Sequence, residues 1–224
     1  MVVKQLLAVG SVNVNSKDNR GQTALSLAVG NRREVMVKQL PAVDGVDINS
    51  KNKKYGQTTL SWAAGNGNEA VVKQLLAVDG VDINSKSKHS GQVALSLAAG
   101  NGHEAVVKQL LVVDCVDVNS KDKYSSQTAL SWAAENGHEA VVKQLLMVDG
   151  VNVNSKDNGG RTALLYAARN GHETVVKQLL TVDGVDVNLK DNGGRIALSS
   201  AVEVWLVHDT NQNNTINTLY ILTL

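Results

Sequence analysis

The tetrapeptide Val-Lys-Gln-Leu recurs at a nearly fixed interval along most of this 224-residue chain. Its lysines are 34 or 35 residues apart, at Lys4, Lys38, Lys73, Lys108, Lys143 and Lys177. The asparagine that closes the motif Val-Asp/Asn-Val/Ile-Asn keeps the same spacing, at Asn15, Asn49, Asn84, Asn119, Asn154 and Asn188. A fixed period of this length indicates an array of short stacked units rather than one thick globular core.

The composition suits such thin layers. Hydrophobic residues make up 43% of the chain, but only 3% are aromatic and phenylalanine is absent. Ala, Val and Leu must therefore build the core, and their small side chains suit closely spaced layers. A net charge of +1 gives no general attraction to nucleic acid or to anionic membranes, so we expect neither as a partner.

The cysteine count and the hydropathy of the chain indicate the cellular compartment in which the protein works. The one cysteine cannot form an internal disulfide, and the N-terminal segment MVVKQLLAVG lacks the apolar stretch of a secretory signal. No apolar run approaches the roughly 20 residues needed to span a bilayer. The sequence therefore predicts an intracellular protein, most simply a cytoplasmic one.

Length variation is confined to one short polar segment of each unit. From the residues Gly21, Gly56, Gly91, Ser126 and Gly160 to the next repeated asparagine, the distance is 28 residues every time. Only the stretch between the asparagine and the next of these residues varies. Exposed turns tolerate such variation and packed elements do not, so this stretch is predicted to form a loop tip.

Each unit contains two helical patterns. In one unit, Thr58 can cap a short helix whose Leu60, Ala63 and Ala64 share one face. The following Asn-Gly suits a left-handed helix terminus, and Glu-Ala-Val-Val-Lys-Gln-Leu-Leu then forms a longer amphipathic helix. Val-Asp-Gly-Val-Asp-Ile-Asn reads as one arm of a hairpin-like loop. We call these elements the inner helix, the outer helix and the loop.

These residues resemble the ankyrin repeat. Segment 126–146, SQTALSWAAENGHEAVVKQLL, is similar to the family pattern Gly-x-Thr-Pro-Leu-His-x-Ala-Ala-x-x-Gly-His with its closing leucines, and the likeness covers roughly residues 2–202. It implies an all-α, ankyrin-type solenoid of stacked helix-turn-helix units with hairpin-like loops. Two segments, Ser-Trp-Ala-Ala and Asn-Gly-His-Glu-Ala-Val-Val-Lys, are also similar to segments of the ankyrin arrays of fungal nucleotide-binding sensor proteins.

The period divides the chain into units. A half unit spans 1–15, and a partial unit at 189–202 precedes a divergent tail at 203–224. The full units 1 to 5 span about 16–49, 50–84, 85–119, 120–154 and 155–188. Neither end carries a polar capping unit, which favours a fragment of a longer protein, although the tail could fold back as a cap. We expect a monomer or weak end-to-end self-association.

Several positions depart from the family pattern. The family proline is replaced mostly by Ala, and the family histidine mostly by Ser, which removes side-chain bonds that tie neighbouring units in that family. In unit 1, Arg32-Arg33 replace the Gly-His turn and Pro41 interrupts the outer helix, so fraying is expected to begin there. Cys115 occupies a position that is glycine in other units, which predicts local strain.

No residue pattern predicts an active site. His103, His138 and His172 recur once per unit, and layers about 8–10 Å apart are too far from one another for shared metal ligation. They are better interpreted as turn histidines. The sequence has no nucleophile elbow and no phosphate-binding loop. We therefore expect no enzyme, no catalytic residue, no metal and no cofactor.

The remaining candidates lie on the surface. Trp62 follows Leu60 by two residues, a rotation of about 200° on a helix, so Trp62 points away from the core face. Its equivalents are Leu27, Leu97, Trp132 and Tyr166. The resemblance implies that this row lines a concave groove for protein partners. The alternative is that these side chains pack on one another between adjacent units.

The loop tips of units 1 to 4 are mainly basic and carry tyrosines. Such an edge favours an acidic partner, although the lysines could serve solubility alone. The predicted partner-binding residues are Trp62, Trp132, Tyr166, Leu97, Tyr55, Tyr124, His89, Lys53, Lys54, Lys88 and Lys123. The sequence thus predicts a non-catalytic protein-protein interaction scaffold. The alternative is a fragment or regulatory array of a larger nucleotide-binding (NACHT/STAND-like) sensor.

Overall fold

A computed structural model describes residues 5, 9, 12–31 and 33–203, and it shows helix pairs stacked into an all-α solenoid. The predicted tail beyond residue 203 and most of the predicted half unit 1–15 lie outside the described residues. The inner helices are α1 (Ala24–Gly30), α3 (Thr59–Gly65), α5 (Ala94–Gly100), α7 (Ala129–Glu135) and α9 (Ala163–Arg169). The outer helices are α2 (Glu34–Gln39), α4 (Glu69–Leu76), α6 (Glu104–Leu111), α8 (Glu139–Leu146) and α10 (Glu173–Leu180).

Residues 197–203 are again helical, as expected for a sixth inner helix. The described residues contain no β-strand, only an isolated antiparallel bridge between Lys51 and Thr58. Each predicted unit from 16 to 188 contains one helix pair. The loops that join the pairs run along one side of the stack.

A threonine caps most of the inner helices. The Thr58 hydroxyl accepts a hydrogen bond from the Ser61 N–H at 3.2 Å, which confirms the predicted cap. Thr23, Thr128 and Thr162 cap their helices in the same way. In units 1 to 4 the Ser that replaces the family histidine bonds within its own helix start and not to a neighbouring unit.

One continuous core runs through the stack. Each inner helix packs on the next inner helix, and each outer helix packs on the next outer helix. The inner helices contribute alanines and leucines, such as Ala98 and Leu95, and the outer helices contribute Val107 and Leu110 and their equivalents. All four of these side chains are at most 1% exposed. Burying one such leucine contributes roughly 1.5–3 kcal/mol to folding.

The repeated asparagine ties every loop to the next. The Asn119 amide donates from Nδ2 to the Gly150 carbonyl at 2.8 Å, and its Oδ1 accepts from the Asn152 N–H at 2.8 Å. The same pair of bonds recurs from Asn15, Asn49, Asn84 and Asn154. We call this series the asparagine ladder. It explains why this residue recurs once per period.

The turn histidines form a second set of ties. Nε2 of His103, His138 and His172 donates to the carbonyl of the last inner-helix residue of the preceding unit, at 3.0 Å in each case. The turn-histidine interpretation is thereby confirmed. Unit 2 has Asn68 at this position, and among the described residues no side-chain bond from its turn reaches unit 1.

Pro41 changes the end of the outer helix in unit 1. The α-helix stops at Gln39, and Leu40–Ala42 continue as a 3₁₀ turn, so α2 has 6 residues where the other outer helices have 8. The early end removes the clash that proline would cause inside an α-helix. A shorter outer helix and a missing histidine tie both make unit 1 the most weakly attached full unit.

The predicted strain at Cys115 is wrong. The equivalent glycines Gly80 and Gly150 have φ of 81° and 80°, but Cys115 is not in the left-handed region, and its carbonyl still accepts the Asn84 bond at 2.6 Å. Ser126 is the non-glycine residue with a positive φ, 59°, among the described residues. It lies at a loop tip where the other units have glycine. Backbone strain thus lies in the tip of unit 4.

The asparagine ladder predicts a stability effect. Asn119→Ala removes both bonds to unit 4's loop, and we expect the free energy of unfolding to fall by about 1–2 kcal/mol. Met147→Ala is the control, because Met147 is 71% exposed and its loss should change stability by less than about 0.5 kcal/mol. Urea denaturation followed by circular dichroism measures both. Equal effects of the two substitutions would contradict the structural role of the ladder.

Candidate functional site

The inner-helix row lies against the preceding unit and is only partly exposed. Trp62, Leu97 and Trp132 are all intermediate in burial. A Cβ added at Gly100 would lie 3.5 Å from Cβ of Trp132, and one added at Gly30 would lie 3.9 Å from Cη2 of Trp62. The glycine that ends each preceding inner helix therefore makes room for these rings. Packing between units accounts for part of each side chain and leaves the rest at the surface.

Tyr166 differs from the prediction because it is buried, with 3% exposure. Its hydroxyl donates to Oδ2 of Asp157 at 2.7 Å, and the Arg161 guanidinium lies 4.8 Å from the ring centroid. Arg161 also forms an ion pair with Asp157 at 2.8 Å. Helical rotation predicts that Tyr166 points away from the core face, but it does not show that Asp157 and Arg161 cover the ring. Tyr166 therefore presents no surface to a partner.

A loop-tip carboxylate also holds Trp132, as Asp157 holds Tyr166. Its indole N–H donates to Oδ2 of Asp122 at 3.3 Å. The same carboxylate accepts from the Ser125 hydroxyl and the Gln127 N–H. Trp132 is thus held between the loop tip of its own unit and the preceding inner helix.

Trp62 has no such anchor. The residue at the position of Asp122 and Asp157 in unit 2 is Asn52, whose Oδ1 accepts from the Tyr55 N–H at 2.8 Å. No hydrogen bond of the Trp62 indole is found among the described residues. Of the three predicted aromatic residues in the row, Trp62 is the one that is both partly exposed and not bonded to a tip carboxylate.

A cleft of about 660 Å³ lies beside Trp62. It runs from the inner helices of units 1 and 2 to their loop tips. Its cationic lining residues are Arg20, Lys53 and Lys54, and the described residues contribute no carboxylate to the lining. Tyr55 also lines the cleft, with Lys54 Nζ 4.7 Å from its ring centroid. The cleft therefore combines one indole, one phenol and three positive charges.

The tip lysines form two groups with different tasks. In the first group Nζ donates to a backbone carbonyl of the next unit, as Lys51 does to Lys86 at 2.7 Å. Lys17, Lys86, Lys121 and Lys156 make the equivalent bond. These lysines tie the stack together. The basic loop tips predicted from the sequence therefore include lysines whose charge serves stacking.

The second group is exposed and unbonded. Lys53, Lys54, Lys88, His89 and Lys123 are exposed, and within the described ranges their side chains have no hydrogen-bond or ion-pair partner. Tyr55 and Tyr124 are exposed as well, by 47% and 68%. The predicted tip residues thus lie at the surface of units 2 to 4, although only Lys53, Lys54 and Tyr55 line the cleft.

Two tip acids are held in their charged form. Burial would raise the pKa of Asp157, but hydrogen bonds from Tyr166 and Arg161, together with the Arg161 charge, lower it below the usual 3.8. Burial likewise opposes ionisation of Asp122, and bonds from Ser125, Tyr124 and Gln127 hold its pKa below the ordinary value. Burial and the bond to Asp157 raise the pKa of Tyr166, which therefore stays a hydroxyl donor.

The Asp157 network predicts a pH-dependent stability. Because its pKa is lower in the folded state, the ionised carboxylate stabilises the fold above the unfolded value near 3.8, and this contribution is lost as the pH falls below it. Asp157→Asn should cost about 1–3 kcal/mol at pH 7 and flatten the stability profile between pH 5 and about pH 2. Asp149→Asn, at an exposed loop acid, changes the net charge equally and should leave the profile intact. Identical profiles for the two variants would refute the role of Asp157.

The described residues meet neither the requirements of a membrane-spanning helix nor those of a metal site. No helix there has the length and apolar character needed to cross a bilayer. No group of three or more His, Cys, Asp or Glu side chains in the same residues is placed to hold a metal ion.

The chain is similar to a known repeat family and to solved members of it. Residues 1–87, 66–157, 95–191 and 143–220 match the family described as ankyrin repeats (3 copies). No curated protein matches the sequence. The ankyrin repeat domain of Bcl-3, described as a unique member of the IkappaB protein family, matches with a TM-score of 0.79 and 27% identity, covering 89% of this chain and 86% of that one. Because the family matches extend over nearly the whole sequence, this chain belongs to the ankyrin repeat family.

Proposed function

We propose that the chain is a non-catalytic scaffold that binds a protein partner through its inner-helix face and loop tips. Ankyrin repeats are protein-protein interaction modules in general, and the family membership supports that coarse function. The observation that carries the finer proposal is the cleft beside Trp62. It places a partly exposed indole next to unbonded cations, which is a combination that protein interfaces use as an anchor.

The aromatic residues of the row have different surroundings and therefore different roles. Within the described part of the chain the Trp62 indole N–H has no hydrogen-bond partner, and the ring lines the cleft, which supports Trp62 as the binding anchor. Trp132 is bonded to Asp122, and Tyr166 is buried on Asp157, so both mainly join the tip to the inner helix. Leu97 lies between Trp62 and Trp132 in the row and extends the binding face toward unit 3.

Attachment to a larger nucleotide-binding sensor stays a prediction that rests on the amino-acid sequence of the repeats. Binding through this face does not depend on such attachment, because the cleft is built entirely from units 1 and 2.

The oligomeric state of the chain affects how binding must be measured. Binding should be measured at concentrations where light scattering gives a single mass, so that end-to-end association does not mimic a partner.

The two tryptophans provide the test. Peptides are selected from a random 12-residue display library on the full chain, synthesised, and titrated by fluorescence anisotropy. Trp62→Ala should weaken the selected peptides by about tenfold or more, and it should lower the free energy of unfolding by about 1–2 kcal/mol, because it removes packed area but no hydrogen bond. Trp132→Ala should lower the free energy of unfolding by about 1–3 kcal/mol, because it removes packed area and the bond to Asp122.

An outer-helix substitution is the matched control. Lys108→Ala changes an exposed side chain on the opposite side of the unit and should leave peptide affinity within about twofold. If Lys108→Ala weakens the selected peptides and Trp62→Ala does not, the outer-helix face binds partners and the proposal fails.

A further inference from the structure

Three lysines occupy the same position in three successive units. The Lys53 N–H donates to the Arg20 carbonyl at 3.1 Å, the Lys88 N–H to Gly56 at 3.1 Å and the Lys123 N–H to Ser90 at 2.8 Å. Each bond joins one loop tip to the tip of the preceding unit. Because each donor is the fourth residue after the repeated asparagine and bonds to the preceding tip, the three side chains leave the stack in register, one per layer. We call them the lysine line.

The side chains of the lysine line are unbonded among the described residues, and the series of lysines ends at unit 4. Among the described residues the three ammonium groups have no hydrogen-bond or ion-pair partner; Lys123 Nζ lies 5.8 Å from the Tyr124 ring centroid. Asn158 and Asn192 take the equivalent position in the next two tips, with the same backbone bond at 2.8 Å. The tip arginines there are paired with Asp157 and Asp191. Cations that served only solubility would have no reason to stop at unit 4.

Few negative charges face the line. Asp18 uses Oδ1 to accept the N–H groups of Arg20 and Gln22. Asp122 is 6% exposed and accepts from Ser125, Gln127 and Trp132. Both carboxylates therefore shape the tips, and among the described residues neither forms an ion pair with a lysine of the line. The uncompensated charge is available to a ligand.

We propose, as an extension of the proposed function, that the lysine line binds an extended acidic protein segment with a carboxylate at about every third residue. Layers repeat at about 10 Å, and a segment in the extended polyproline II conformation advances about 3.1 Å per residue with three residues per turn, so every third side chain lies on the same face about one layer further along. Lys53 belongs both to the line and to the Trp62 cleft. An apolar side chain of the same segment occupies that cleft while its acidic residues follow the line toward unit 4.

Charge density favours a protein over a nucleic acid. Each strand of a duplex carries one phosphate per 3.4 Å or so of helix axis, about three times denser than one lysine per layer. The net charge of +1 also gives little long-range attraction to a polyanion. A segment with spaced carboxylates and an apolar anchor matches both the spacing and the mixed character of the surface.

Two triple variants test the inference. Lys53→Gln, Lys88→Gln and Lys123→Gln together remove the line. Lys73→Gln, Lys108→Gln and Lys143→Gln remove the same charge at the same one-per-unit spacing from exposed positions on the outer helices. Each variant and the unmodified full chain are used to select binders from the random 12-residue display library, and circular dichroism verifies that all three are folded.

Binders from the unmodified chain and from the outer-helix variant should be enriched in Asp or Glu three residues apart, and binders from the lysine-line variant should lose that enrichment. The most enriched peptide should bind the lysine-line variant about tenfold more weakly, and the outer-helix variant within about twofold. Its affinity should fall as salt rises, because the contacts are exposed.

Three outcomes would overturn the inference. They are binders without acidic enrichment, equal loss of affinity in both triple variants, and tighter binding of a single-stranded oligonucleotide of matched charge than of the peptide. The Trp62→Ala measurement separates the two proposals. Selected peptides that depend on Trp62 but lack spaced acids leave the proposed function standing and refute the acidic partner, whereas binders that ignore Trp62 and the lysine line refute both.

Discussion

The structure depends on one asparagine side chain per unit that bonds both a carbonyl and an N–H of the following loop. The core of Ala, Val and Leu supplies most of the stabilising free energy, but apolar contact is non-directional, and small side chains interlock weakly. Such a stack needs a polar contact to set how each layer sits on the next. The asparagine ladder fixes that register at the loop edge, and the turn histidines fix it at the helix edge from unit 3 onward.

Register at the loop edge creates the surface that we assign to binding. Lys51 and Lys53 are two residues apart, yet Lys51 reaches the next unit while Lys53 points to solvent. Once the first lysine of each tip is used for stacking, the second is displaced outward at the spacing of the layers. The outward direction of this position is thus a consequence of stacking, whereas a lysine occupies it only in units 2 to 4.

Much of the fold follows from the sequence because it is periodic. The helix pairs, the threonine caps and the turn histidines all lie where the repeats predict them. The partners of individual side chains could not be predicted, because they belong to neighbouring layers or to the tip. Composition cannot tell Lys51 from Lys53, helical rotation cannot show that Tyr166 closes onto Asp157, and glycine equivalence misplaced the strain at Cys115.

A signal for these assignments was nevertheless present in the sequence. The lysine that ties each tip recurs in every unit, from Lys17 to Lys190, whereas Lys53 has counterparts only in units 3 and 4. A residue that recurs in every unit is explained by stacking, whereas a residue confined to some units needs a local explanation. The histidines of units 3 to 5 have one, because they bond to the preceding unit. Among the described residues the side chains of Lys53, Lys88 and Lys123 make no such bond. By the same reasoning, a tip acid accompanies Trp132 and Tyr166 but not Trp62. The departures from the period, more than the period itself, mark where a partner would be recognised.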